Sequence, residues 1–220
     1  MGRKPFRAII FDFDYTLGDS TNGIVLSVNY AFEKLGFAAK DTESIRKTIG
    51  LSLTDTYSVL TKKNNREEAE LFAKYFREKA DLVMAENTEL YDCTKEILRN
   101  LKTEGYKTGI VTTKFHYRIE QILERSNALG LVDIIIGAED VKKEKPDPEG
   151  LRLAIEKFQL RKEDILYVGD SFIDAKTAEH AQVSFAGVLA GTTASNGFKG
   201  YRNVLIGRDI KDVYSFITNP

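Results

Sequence analysis

A single cysteine, Cys93, and two histidines are all this 220-residue chain offers of the softer metal-ligating side chains. One cysteine excludes an intramolecular disulfide and a cysteine-based zinc cluster, and it fits a reducing compartment. Its expected place is the interior, as a small hydrophobe. His116 and His180 lie far apart in the chain with no ligand types expected beside them, so both are read as surface or helix histidines. Charge of one sign is missing too: 32 Lys and Arg stand against 33 Asp and Glu, a formal charge of −1. Totals so balanced imply no basic face, which argues against nucleic acid as a partner, and any attraction for anions has to be local. No apolar run approaches the roughly 18 residues of a membrane span. Met1 to Pro5 is too short and polar for a secretory signal. The expectation is a cytoplasmic protein without a membrane partner; the sequence assigns no oligomeric state.

What is present is enough apolar material, 42% of residues, to bury a full core. That suits one large domain or a main domain carrying an insertion. From about residue 90 onward short apolar runs alternate with helical patterns, as in a parallel sheet covered by helices on both faces. Strands are expected at Phe6 to Phe11, Thr108 to Thr112, Ile134 to Gly137, Ile165 to Val168, Ser184 to Val188 and Val204 to Ile206. Helices are expected near Thr94 to Thr103, Tyr117 to Ser126, Pro148 to Phe158, Phe172 to Ala181 and Ile210 to Ile217. The predicted class is therefore α/β, a Rossmann-like doubly wound sheet.

Between the first strand and the rest lies a stretch with no convincing strand. Val25, Val28, Ala31, Phe32 and Leu35 recur at helical spacing before Gly36, which is expected to end that helix in a left-handed cap. Phe72, Phe76, Ala80 and Val83 form a second apolar stripe, with Arg66, Glu67, Glu68, Lys74 and Arg77 on the expected wet face. Residues 20–87 are thus predicted as an inserted all-helical cap over a core made of residues 1–19 and 88–220.

Ligands in open α/β sheets bind outside the carboxyl ends of the strands. Inspecting those ends collects Asp12 and Asp14 after the first strand; Thr112, Thr113 and Lys114 after the second; Lys142, Lys143 and Lys145 in the next loop; and Gly169, Asp170, Ser171 and Asp174 after the fourth. Carboxylates from two strand ends suit a hard cation with oxygen ligands, and Mg²⁺ typically takes one or two of them together with a substrate phosphate oxygen. Asp12 and Asp170 are the natural ligands. Lys145 and Thr112 suit the remaining phosphoryl oxygens, since charge on a transferring phosphoryl group is stabilised mainly by positioned donors and cations. Asp14, on the turn out of the strand, is the candidate acid and base. A calcium-binding EF-hand loop beginning at Asp12 fails, because its sixth position is Leu17 instead of Gly and its twelfth is Gly23 instead of Glu. Lys142 and Lys143 are read as solvated.

Four motifs in this order, Asp12-Phe-Asp14-Tyr-Thr16-Leu17, Ile110-Val111-Thr112, Lys145-Pro146-Asp147-Pro148 and Gly169-Asp170-Ser171-Phe-Ile-Asp174, resemble those of haloacid-dehalogenase-superfamily phosphohydrolases. The resemblance implies that Asp12 is a nucleophile forming an aspartyl-phosphate. It also implies that Asp14 protonates the leaving oxygen and then activates water, while Thr112 and Lys145 hold phosphoryl oxygens. Mg²⁺ would be held by the Asp12 carboxylate, the Asp14 carbonyl and Asp170, with Asp174 ordering a metal-bound water or Lys145. The insert resembles the lid of the subgroup containing phosphoglycolate phosphatases, bacterial pyrophosphatases and β-phosphoglucomutases. Thr16, Thr113, Lys114, Gly50 and Leu51 are the residues expected to meet the substrate, Gly50-Leu51-Ser52-Leu53 being a break between two lid helices.

The implied activity is Mg²⁺-dependent hydrolysis of a small phosphorylated metabolite or pyrophosphate. The alternatives are a phosphomutase of the same lineage and a retired phosphate-binding module. Three positions depart from the pattern. Tyr15 replaces the usual Gly and is expected to narrow the leaving-group side. Thr113 replaces a common Asn, and Tyr91-Asp92-Cys93-Thr94 replaces a Tyr-Pro-Gly turn. Asp14 itself argues against a true haloacid dehalogenase.

Overall fold

Four consecutive apolar residues, Ala8–Phe11, form strand β1, and all four are buried, as a strand covered by helices on both faces requires. The fold comes from a computed structural model that describes residues 6–218. The reading of Met1 to Pro5 lies outside them. Downstream come β4 (Lys107–Val111), β5 (Ile134–Ile136), β6 (Ile165–Gly169), β7 (Ser184–Val188) and β8 (Leu205–Gly207). With β1 they make one six-stranded sheet in the order β5-β4-β1-β6-β7-β8, every pair of which is parallel.

β1 lies between β4 and β6, with Phe11 level with Ile110 on one side and Val168 on the other. The Asp12 N–H continues the ladder to the Val168 carbonyl at 2.8 Å. Register therefore brings the residues just beyond three neighbouring strands to one edge of the sheet.

Helices α5 (Thr94–Thr103), α6 (His116–Arg125), α7 (Glu149–Phe158) and α8 (Phe172–Ala181) lie in the connections between strands, and α9 (Ile210–Thr218) follows β8. They stand within a residue of the expected helices. Two apolar clusters fill the two faces of the sheet: Ile9, Phe11, Leu98, Leu123 and Val213 belong to one, and Ala8, Ile10, Leu151, Tyr167 and Phe185 to the other. Alternate residues of β1 thus serve opposite faces.

The insert is helical, with α1 (Thr21–Lys34), α2 (Thr42–Arg46), α3 (Leu53–Thr61) and α4 (Arg66–Val83). Gly36 follows α1 with φ of 75°, the left-handed turn expected there. Asn65 caps α4 by accepting from the Glu68 N–H at 3.2 Å, and Glu67 and Glu68 sit favourably in its first turn. Val28, Ala31 and Phe32 of α1 and Phe72, Phe76 and Ala80 of α4 are buried in a core continuous with one face of the sheet. Where the chain leaves and re-enters the core, two-residue strands β2 (Gly18–Asp19) and β3 (Glu89–Leu90) pair antiparallel. They are too short to leave a periodic signal in the sequence.

Candidate active site

Four consecutive apolar residues deliver Asp12 to the sheet edge, and register sets what it meets. Lys145 Nζ lies 2.8 Å from Asp12 Oδ1 and 2.7 Å from Asp174 Oδ1, with all three side chains at least 95% buried. A second donor reaches the same Asp174 oxygen: the Tyr167 hydroxyl, at 2.9 Å. The other Asp174 oxygen accepts from the Ser171 N–H at 3.1 Å and its hydroxyl at 2.5 Å, while the Asp174 N–H donates back to Ser171 Oγ at 3.2 Å. This is a capping box that starts α8 and at the same time fixes the carboxylate facing Lys145. Burial alone would lower the Lys145 ammonium, but Asp12 and Asp174 outweigh it and hold Lys145 charged well above its ordinary range.

Asp12 itself is pushed up to about 6, by burial first, with Lys145 opposing and Asp174 adding to the rise. Asp170 rises well above the usual carboxylate range, again through burial and then through Asp174 and Asp12. Among the described residues, the four buried carboxyl groups of Asp12, Asp14, Asp170 and Asp174 have two ammonium groups paired with them, Lys145 and Lys114, so acids outnumber cations in a buried place.

A divalent cation is the simplest match to that deficit. Asp12, Asp170 and Asp174 each offer a carboxylate oxygen within 4.8 Å of the others, the all-oxygen donor set of a hard ion. The backbone is shaped around one of them: a Cβ on Gly191 would lie 1.8 Å from Asp170 Oδ2, so only glycine lets that loop close over the carboxylate. Both Asp174 oxygens are already engaged by protein donors, which suits it to aim Lys145.

Asp14 looks the other way. Its Oδ2 pairs with Lys114 Nζ at 3.2 Å, while its buried Oδ1 has no hydrogen-bond partner among the described residues. Asp14 and Lys114 form part of the wall of a cavity between insert and sheet, enclosing about 810 Å³ out to its open mouth. Thr113, Gly50 and Leu51 line the same cavity, so four of the five expected substrate contacts meet there. The fifth, Thr16, is 1% exposed, lies outside that lining, and its Oγ1 has no partner among the described residues. Thr112 is buried beside the cluster and its Oγ1 accepts from the Lys114 N–H at 3.3 Å.

Three expectations need correction. Arg77, read as part of a wet helix face, is half-buried against the cavity, with a buried Nε that has no partner among the described residues. Helical periodicity separated the α4 faces but could not show that the sheet edge covers part of the polar one. Tyr15 does not narrow the cavity: its hydroxyl bonds Thr21 Oγ1 at 2.6 Å and accepts from Arg46 Nε at 3.2 Å. His116 is not isolated, because the fold brings Asp140 to 2.8 Å and Glu139 to 3.8 Å of its Nδ1. His180 Nδ1 meets the Pro146 carbonyl at 2.9 Å, Cys93 is buried, and Lys142 and Lys143 are exposed. Tyr167, which shares Asp174 with Lys145, was hidden in the sequence because it reads as one more apolar strand residue.

Fold and side-chain cluster together define a doubly wound α/β protein with a helical insert and an acid-lysine site at the carboxyl edge of its sheet. Residues 9–188 match the haloacid dehalogenase-like hydrolase family, and the chain belongs to that family as one of its enzymes. It is 30% identical over 188 residues to pyrophosphatase PpaX of Bacillus velezensis, spanning 86% of this chain and 85% of that protein. A phosphoglycolate phosphatase of Photorhabdus laumondii is 30% identical over 196 residues, spanning 86% and 82%. Among solved structures, a haloacid dehalogenase-like hydrolase of Bacteroides fragilis superposes with a TM-score of 0.91 at 39% identity, spanning 94% of this chain and 99% of that one. No helix among the described residues is long and apolar enough to cross a membrane.

Proposed function

We propose that the protein is a Mg²⁺-dependent phosphatase that hydrolyses a small phosphorylated metabolite through an aspartyl-phosphate on Asp12. The observation that carries this reading is the bridge of Lys145 between Asp12 and Asp174, at 2.8 and 2.7 Å. It holds a buried carboxylate ionised and aimed, which a nucleophile needs. Asp12 Oδ attacks phosphorus and the bond to the leaving oxygen breaks; Asp14 gives that oxygen a proton. Asp14 then takes a proton from the water that attacks the phosphoryl-Asp12 bond, releasing phosphate and restoring both acids. Because the Thr112 hydroxyl accepts from Lys114 N–H, its own proton remains to donate to a phosphoryl oxygen, while Lys145 neutralises another.

Asp12, the Asp14 carbonyl and Asp170 would hold the cation, with Asp174 holding Lys145 or a water on the ion. The bound ion supplies charge neutralisation for the phosphoryl oxygens. In this reading residues 20–87 act as the cap, and residues 1–19 and 88–220 as the catalytic core. The names of the relatives, a pyrophosphatase and a phosphoglycolate phosphatase, support phosphate chemistry and leave two leaving groups to compare.

The test is phosphate release from a panel of phosphoesters and pyrophosphate, in Mg²⁺ and in EDTA. Release should require the metal, and Asp12→Asn should cut it by roughly a thousandfold or more with unchanged circular dichroism. Turnover retained by that variant would sink the covalent mechanism.

A further inference from the structure

The cavity that Asp14 faces has a wall of uneven chemistry. Ile24, Val28, Phe76 and Met84 of the insert present an apolar surface to it. Two polar atoms within it are buried with no hydrogen-bond partner among the described residues: Asp14 Oδ1 on the core side and Arg77 Nε on α4 of the insert. The Arg77 guanidinium lies 5.6 Å from the Phe115 ring centroid, a cation–π contact that supplies no hydrogen-bond acceptor. The anion facing Arg77 is Glu144, which forms no ion pair with it within 4.0 Å among the described residues and is raised by its own burial, Arg77 opposing. One guanidinium donor, Arg77 Nε, is therefore unmatched in a place where an unmatched polar group is costly.

We propose that Arg77 is a specificity-determining residue that receives a terminal oxyanion on an organic leaving group, so that the preferred substrate is an acid-bearing phosphate monoester and not inorganic pyrophosphate. The proposal rests on the phosphatase reading above. In that reading the oxygen that departs from phosphorus lies at Asp14. The body of the leaving group then crosses the apolar wall, and its far end meets Arg77. Pyrophosphate fits this wall badly. Its leaving group is itself a phosphate, charged on every face, and would need donors all around it. The cavity offers two cations, of which Lys114 is already matched by Asp14 at 3.2 Å. An anion set against Ile24, Val28, Phe76 and Met84 would lose its hydration for no return. An alkyl body loses nothing there and gains from burial.

The experiment measures kcat/KM in Mg²⁺ for p-nitrophenyl phosphate, a carboxylate-bearing alkyl phosphate, an alkyl bisphosphate and pyrophosphate, with wild type, Arg77→Ala and Arg77→Lys. Wild type should prefer one of the two acid-bearing esters over pyrophosphate by about tenfold or more, and the better of the two tells carboxylate from phosphoryl recognition. In Arg77→Ala the ratio of that ester to p-nitrophenyl phosphate should fall by about tenfold or more, mainly through KM, and Arg77→Lys should recover part of it. Pyrophosphate as the best wild-type substrate would overturn the proposal, as would an Arg77→Ala ratio equal to wild type. Absence of all turnover, p-nitrophenyl phosphate included, in folded wild type would overturn the phosphatase reading and this proposal with it. Turnover without discrimination overturns the proposal alone.

Discussion

Asp174 is fully buried and accepts hydrogen bonds from Lys145, Tyr167 and Ser171. Its removal would leave Lys145 with one carboxylate in place of two and leave the Tyr167 hydroxyl only the Val111 carbonyl, at 3.1 Å, as acceptor. Breaking a buried ion pair by deleting one partner costs about 3–5 kcal/mol. Because Lys145 would keep Asp12 at 2.8 Å, Asp174→Ala is expected to fall short of that full cost and to lower the unfolding free energy by about 2–3 kcal/mol in denaturant titration. Tyr167→Phe, which removes one neutral donor from the same oxygen, should cost only about 1 kcal/mol. Equal losses would mean that Asp174 acts through the tyrosine and the helix cap, not through the lysine. The acidic members of this site were legible residue by residue because carboxylates directly after apolar strands have no cheap structural explanation. Tyr167 was not, because a tyrosine inside a strand announces nothing until its hydroxyl is placed.

At the scale of elements, the start of α6 is tied to the loop after β5. The His116 N–H donates to Glu139 at 2.9 Å, and its ring meets Asp140, which also accepts from the Gly137 N–H at 2.8 Å. The bond to Asp140 raises the imidazole above its ordinary value, burial opposing. A histidine raised in the folded state contributes stability that is fully present below its unfolded pKa and is lost as pH rises through the folded one. Unfolding midpoints of wild type should thus fall relative to His116→Gln as pH rises from about 5.5 to 8. The side chain is 37% exposed, so the effect is small and weakened by salt. A difference that stays flat with pH would show that the imidazole titrates alike in the folded and unfolded chain, so that the contact with Asp140 does not favour its charged form. Helices and strands of the sheet were legible from periodicity; this tie was not, because residues 116 and 140 meet only through the parallel crossover.

Across the whole molecule, insert and core are joined by more than the chain's two crossings. Arg118 of α6 is 3% exposed and holds Asp81 of α4 at 2.6 Å. Arg46 of α2 donates to Tyr15 beside Asp14, its guanidinium 5.6 Å from the tyrosine ring centroid. Tyr15 carries φ of 56°, a left-handed conformation costing a non-glycine residue about 1–2 kcal/mol. The hydroxyl contacts with Thr21 and Arg46 offset part of that strain, which gives the tyrosine a structural use. Tyr15→Phe and Arg46→Ala should each destabilise by about 1 kcal/mol, and the double variant by much less than the sum. Additive losses in a double-mutant cycle would mean that the two residues do not act together across the gap.

Sequence by itself determined the layers, the strand ends and the acidic, threonine and lysine set of the site, because each is local: an apolar run, its period, and the polar residue that ends it. It also set the helical character of the insert, whose apolar stripes have no other use. Tertiary structure alone decided which polar faces became interior. Closing the insert on the sheet left Arg77 half-buried with its Nε inside and turned Tyr15 from an obstruction into a contact between the two parts, while the crossover from β4 to β5 brought Asp140 to His116. Those outcomes depend on the relative placement of elements tens of residues apart, and side-chain period within any one of them carries no information about it.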